Sequence, residues 1–388
     1  MATAIVGGAL ANKPFNGGEA WVRLSWILGL QRLGFEVYFV EELASAACVD
    51  EAGEPAEFGV SANRAYFESV VGDFGIEDRA GLLCDGGDQG SGLGLDQLAE
   101  VAAHADVLFN VSGNLGLGEL GRARTTVYVD LDPGFTQAWH ADRSVPFQIA
   151  EHDRYVTVGL NVGAARCPIP DCGLEWIATL PPVLLDQWPA RSQPRGPLRF
   201  TTVATWRSPY GALELDGKTM GLKHHEFRRL IELPERVEGV TFEIALAIDG
   251  DDFADREALV AHGWRLVDPR AVASTPQGFR DYIGDSGAEF SVAQSVYAET
   301  ASGWFSDRTG AYLASGRPAL VQDTGIGDSL SLDEGLLTFS TPEQAAVAAE
   351  RIAANRARQE VVAREWAGRH LDSDVVLERL LSSVGVAD

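Results

Sequence analysis

Short apolar runs alternate with amphipathic or glycine-punctuated stretches along most of the chain. Ala2 to Val6 is such a run, closed by Gly7 and Gly8, and it predicts a first strand. A polar loop through Asn16, Gly17 and Gly18 leads into Glu19 to Leu33, which is apolar on nearly all sides (Trp21, Val22, Leu24, Trp26, Ile27, Leu28, Leu30) and predicts a buried helix. Gly34 stops it, and Phe35 to Val40 predicts a second strand. Leu95 to Ala105 reads as a helix, Asp106 to Phe109, Thr126 to Asp130 and Tyr155 to Gly159 as strands. Val49 to Gly94 is acidic and glycine-rich with little period and predicts surface helices joined by loops.

The same alternation restarts downstream. Strands are predicted at Leu198 to Thr205, Phe242 to Ile248, Trp264 to Val267, Glu289 to Val292 and Leu336 to Phe339, with helices at Asp252 to His262 and Thr275 to Gly284 between them. Thr341 caps a long helix predicted through about Glu365, and Asp372 to Val384 gives another. Strands alternating with helices of these lengths specify parallel sheets covered on both faces. The expectation is an α/β protein of two Rossmann-like, doubly wound domains facing a cleft. Residues 1–189 form the first, 190–365 the second, and 366–388 a helix returning to the first. The polar stretch Ala190 to Pro197 is the expected linker.

Length agrees with two domains, because 388 residues exceed what one core ordinarily organises. A formal net charge of −25 excludes a general nucleic-acid surface, which needs a basic stripe. The cysteines at 48, 84, 167 and 172 form no CxxC pair and are expected to be free thiols. The N-terminus lacks the basic region of a signal peptide, and no stretch reaches the eighteen or so apolar residues of a membrane span, so a cytoplasmic protein is expected.

Candidate chemistry gathers in three places. Asp130 and Asp132 fall at the carboxyl end of a predicted strand, where they hold a metal, supply a general base, or cap the turn at Pro133-Gly134. Asp132 is the preferred base and Asp130 the second, with His140 nearby. Lys218 and Lys223 lie in the densest cationic group of an acidic chain, after the strand end at Trp206. The third place is Ser302 to Gly327, SGWFSDRTGAYLASGRPALVQDTGIG. It reads as a turn, a helix begun by Ser306, a glycine stop at Gly316, Pro318 and a buried strand, with Asp323, Thr324 and Gly325 at the strand end. A helix start of this kind offers free N–H groups to an anion.

The string YLASGRPALVQDTG resembles the donor-site segment of GT-B glycosyltransferases. The resemblance implies that Ser302, Gly303, Trp304, Phe305, Ser306, Asp307 and Arg308, with Asp323, Thr324 and Gly325, hold a nucleoside-diphosphate sugar, assisted by Trp206 and by Lys218 or Lys223. It places Gly17, Gly18, Glu19 and His140 on the acceptor side and requires no cofactor and no metal. The chain departs from the paired glutamates of retaining members: those positions are Gly303 and Ala311, and Glu299 and Asp307 each lie four residues earlier. The expected activity is sugar transfer to a small-molecule or glycan acceptor. A nucleotide-sugar epimerase or hydrolase, or a non-catalytic binding protein, is the alternative.

Overall fold

A computed structural model describes residues 1–142, 149–191, 196–208, 210–215, 217–332 and 334–386. Eight strands make the first sheet: β1 (Thr3–Gly7), β2 (Glu36–Leu43), β3 (Ala80–Cys84), β4 (Gln89–Gly92), β5 (Val107–Val111), β6 (Thr126–Asp130), β7 (Arg154–Thr157) and β8 (Trp176–Ala178). Their order is β4-β3-β2-β1-β5-β6-β7-β8, parallel throughout except for the antiparallel pairing of the edge strand β4 with β3. A small antiparallel hairpin, β10 (Leu213–Leu215) and β11 (Lys218–Met220), follows β9 (Leu198–Thr205). The second sheet combines β9 with β12 (Val240–Ala247), β13 (Arg265–Val267), β14 (Ala288–Ser291), β15 (Ala319–Gln322) and β16 (Leu336–Phe339). Its order is β13-β12-β9-β14-β15-β16, and every pairing is parallel. Both sheets start near the middle and wind outward to each side. Each therefore has a switch point, beside β1 and beside β9, where the strand ends leave a crevice.

The two doubly wound sheets are the expected architecture; several local expectations need correction. Val49 to Gly94 contains β3, a fully buried strand that continues the sheet beyond β2. The stretch read as a glycine-punctuated loop around Lys218 is the β10–β11 hairpin. The long helix after Thr341 breaks at Asn355 into Pro342–Ala354 and Arg356–His370. Of the expected linker, residues 192–195 lie outside the described residues.

The first helix, Gly17–Arg32, is nearly all buried because it lies between the first sheet and parts of the second half. Asn16 caps it by accepting the N–H of Glu19 at 3.1 Å, and the Trp21 indole donates to the Pro276 carbonyl at 2.7 Å. Contact at its start is so close that a Cβ on Gly17 would stand 2.0 Å from the Thr275 carbonyl oxygen. At the far end of the chain the helix Arg356–His370 packs on Asp307–Ala314. The last helix, Ser373–Val384, then packs on Gly17–Arg32, where Gly29 leaves room for Leu377. All four cysteines are free. Among the described residues no helix is long and apolar enough to cross a membrane.

Candidate active site

A cavity of about 530 Å³ opens between the carboxyl edges of the two sheets. Its first wall is the loop after β1 and the start of the first helix: Pro14, Phe15, Asn16, Gly18, Glu19 and Trp21. The opposite wall comes from the end of β9 (Val203, Ala204, Thr205), from Lys223, from Pro269 and Arg270, and from Ser306, Asp307 and Arg308. The loop wall is held from behind. Glu41, a fully buried carboxylate on β2, accepts the backbone N–H groups of Leu10, Ala11 and Asn12 at 2.8, 2.6 and 2.7 Å. Across the opening the Arg270 guanidinium lies 4.3 Å from the Phe15 ring centre and donates to the Glu51 carbonyl at 2.9 Å.

Cationic groups occupy the second-half wall. The helix Asp307–Ala314 starts at Ser306, whose side chain makes no capping bond, so its first-turn amides keep their usual lack of intrahelical partners. Arg308 is fixed at each of its nitrogens. Its Nε donates to Glu289 Oε1 at 2.8 Å, one Nη to the Val203 carbonyl at 2.9 Å and the other to Ser291 Oγ at 2.7 Å. Lys223 begins the helix Lys223–Arg229. Burial lowers its ammonium pKa to about 8, the nearby Arg308 charge lowers it further, and Asp132 opposes the shift.

Three carboxylates gather on the other side. Burial alone would raise the Glu19 pKa, but the charges of Arg23 and Lys13 outweigh it and keep the group below its ordinary value. Arg23, itself almost wholly buried one helical turn on, forms an ion pair with Glu19. Asp307 is pushed up to about 6 by burial and by the charge of Glu19. Asp132 is also raised to about 6, chiefly by burial, although the Tyr297 hydroxyl donates to its Oδ1 at 2.7 Å. It stands behind the cavity lining yet shares electrostatic coupling with Lys223, Asp307 and Glu19, which line it.

The residues expected from sequence are thus divided. Gly18, Glu19, Lys223, Ser306, Asp307 and Arg308 face one cavity. Gly17 does not; it is the point of contact with Thr275. Asp130 is fully buried and accepts four hydrogen bonds, from Thr136 Oγ1 (2.6 Å), Gln137 Nε2 (3.0 Å), Thr157 Oγ1 (2.7 Å) and the Asp132 N–H (2.9 Å), so it fastens the turn after β6 and has no free face for a substrate. Trp206 is core: it is wholly buried against Phe227 and donates to Asp255 at 2.9 Å. Lys218 sits on the exposed hairpin, 3.6 Å from Glu299 and away from the cavity. His140, on the helix Phe135–Ala141, does not line the cavity either.

The turns flanking the helix are also displaced from the expected role. Ser302 and Gly303 are buried in the seam between the halves, where the Asn161 N–H donates to the Ser302 carbonyl at 3.0 Å and Gly303 takes a φ of 71°. Trp304 stacks on Tyr297 with ring centres 4.5 Å apart and donates to the Leu131 carbonyl, while Phe305 packs on Trp366. Asp323 accepts the Gly325 N–H, Thr324 donates to the Trp304 carbonyl, and the Gly325 carbonyl accepts from Asn161. These residues join the halves, and only the segment from Ser306 onward reaches the open space.

No protein-family model matches the chain, and no curated protein sequence matches it. Solved structures do. A sucrose-phosphate synthase from Thermosynechococcus elongatus aligns over 100% of both chains with a TM-score of 0.55 at 12% identity. An alpha-glucosyltransferase, solved with UDP and a 13-mer DNA, aligns over 99% of this chain and 100% of its own, with a TM-score of 0.60 at 11% identity. HepE from Anabaena, solved with UDP and glucose, gives the same coverage and TM-score at 9% identity. The fold is GT-B. In this GT-B chain the cavity occupies the space between the two sheets, at their switch points.

Several residues of the GT-B cleft escaped the sequence reading. Arg23 was legible as the one basic residue within an otherwise apolar helix interior, and Glu289 as a carboxylate inside a buried strand; both were passed over. Arg270 and Tyr297 carry no such signal, since only the folded chain brings Arg270 to Phe15 and Tyr297 to Asp132.

Proposed function

We propose that the protein is a glycosyltransferase that takes its sugar from a nucleoside diphosphate, with the diphosphate held by Lys223, Arg308 and the amides at the start of the helix Asp307–Ala314. The observation that carries the reading is the convergence of these groups, from separate segments of the second half, on one wall of the cavity between the sheets. Positive charge fixed in advance and shielded from water stabilises a leaving diphosphate as negative charge builds on it. Two side-chain cations and a helix terminus supply that charge here, so the reaction as proposed requires no metal ion. The UDP and UDP-glucose complexes among the GT-B neighbours support the same donor class.

The acceptor enters from the side of Pro14 to Glu19. Asp132 takes the proton of the attacking hydroxyl: a carboxylate raised to about 6 can accept a proton and release it near neutral pH, and Tyr297 orients it. Asp130 holds the turn that carries Asp132. With a net charge of −25 the chain suits a small-molecule or glycan acceptor and not a DNA strand. The test is UDP binding by calorimetry with turnover of UDP-sugars on the same preparation. Asp132→Asn should keep UDP binding and lose turnover. Full turnover by that variant, with loss in Glu19→Gln, would move the proton-accepting role to Glu19.

A further inference from the structure

We infer that Glu289 is a positioning residue for Arg308, aiming its guanidinium into the cavity; the inference rests on the diphosphate reading above. Glu289 sits in β14, whose four residues are all buried between neighbouring strands β9 and β15. Strands of that kind, covered on both faces, are ordinarily aliphatic. Its side chain is wholly shielded from water, one oxygen bonds Arg308 Nε, and the other has no hydrogen-bond partner.

Stability does not account for a carboxylate there. A buried ion pair gives back in attraction about what it costs in lost hydration, and apolar side chains of similar volume commonly serve as well. What the pair does supply is direction. Arg308 has five N–H donors, and three are committed within the protein to Glu289, Ser291 and the Val203 carbonyl. These three contacts fix the plane of the guanidinium. The two remaining donors, one on each Nη, belong to a side chain that lines the cavity beside Lys223. A flexible arginine would lose that aim and would swing away from the like charge of Lys223. Ser291 and the Val203 carbonyl are neutral acceptors; of the three partners only Glu289 carries the charge that holds a cation in this place.

The experiment is a double-mutant cycle on UDP affinity, with uridine as the control that lacks phosphates. Arg308→Ala should weaken UDP by roughly 10- to 150-fold, the range of a charge-assisted hydrogen bond. Glu289→Ala should approach that loss, and the double variant should be no weaker than Arg308→Ala by more than about threefold, because both substitutions remove one interaction. Uridine affinity should stay unchanged in all three. Glu289→Gln, which keeps an oxygen for Nε without the charge, should lose less UDP affinity than Glu289→Ala, and it serves if the alanine variant does not fold. Additive losses, or equal losses of UDP and uridine, would overturn the positioning role and leave the diphosphate site standing. An unaffected Glu289→Ala beside a weakened Arg308→Ala would do the same. Arg308→Ala without effect on UDP removes both.

Discussion

Replacing Lys223 by Met should make the unliganded protein more stable and the donor site worse. The ammonium is paired with no carboxylate at close range; it faces Arg308 in a cavity that lowers its pKa from 10.5 to about 8. At about 1.4 kcal/mol per unit, that shift means that keeping the charge costs the folded chain about 3 kcal/mol. A group whose folded pKa is depressed carries this cost in full below the folded value, so it is present at pH 7 and disappears only as pH rises past 10.5. Methionine is unbranched and of similar length, so it should recover part of the cost, about 1–2 kcal/mol after imperfect packing, and raise Tm by about 2–4 °C. In the same variant UDP should bind roughly 10- to 150-fold more weakly, since a charge-assisted contact to phosphate is lost. Differential scanning calorimetry with and without UDP reads both effects, because a ligand that binds only the folded state raises Tm according to its affinity. A variant that melts lower than the parent yet keeps its full UDP-dependent shift would show that Lys223 is a structural residue and that its lowered pKa has nothing to do with phosphate.

Turnover against pH should be bell-shaped, with an acid limb near 6 from Asp132 and an alkaline limb near 8 from Lys223. In Lys223→Arg the alkaline limb should move upward, as arginine keeps its charge; a limb that stays in place assigns it elsewhere. Gly17→Ala should force the Thr275 carbonyl away and lower both Tm and turnover, by about 1–3 kcal/mol in stability, measured by thermal melting and small-angle scattering. Glu41→Ala should fail to accumulate as folded protein, because three buried N–H groups would lose their acceptor at about 1–3 kcal/mol each. Normal melting of that variant would mean that water or another group replaces the carboxylate.

The two sheets were legible because most of their strands are short apolar runs bounded by glycines and because the intervening helices have ordinary length. β3 was missed: its five residues, Ala80 to Cys84, contain only two leucines as bulky groups and sit inside an acidic stretch. The hairpin β10–β11 was missed for a different reason, its three-residue strands being too short to show alternation. At the site, local chemistry was read correctly as chemistry but not as place. Trp206 and Arg308 both follow the pattern of residues near strand ends, yet one points into the core against Phe227 and the other lines the cavity. Asp130 and Asp132 differ by two positions, and Thr136, Gln137 and Thr157 absorb the first while Tyr297, from the other half, reaches the second. Those partners are distant in sequence or arrive from another sheet, and no local pattern announces them.

The segment from Ser302 to Gly325 thereby has two functions that its sequence presents as one. Its turns are tied to the first half: Asn161 donates to the carbonyls of Ala301 and Gly325, and Gly159 pairs with Trp304 across the seam. Its helix start, a few residues on, faces the cavity with Arg308. Three bonded residues, Trp304 to Ser306, separate the seam from the amides assigned to phosphate, and Phe305 among them is locked against Trp366. A rigid connection of that length means that the donor wall cannot turn relative to the first half without breaking contacts at Asn161. The orientation of the two sheets and the placement of the phosphate-binding amides are therefore set by the same turns, which explains why hydroxyl and glycine residues are so dense where no ligand is held.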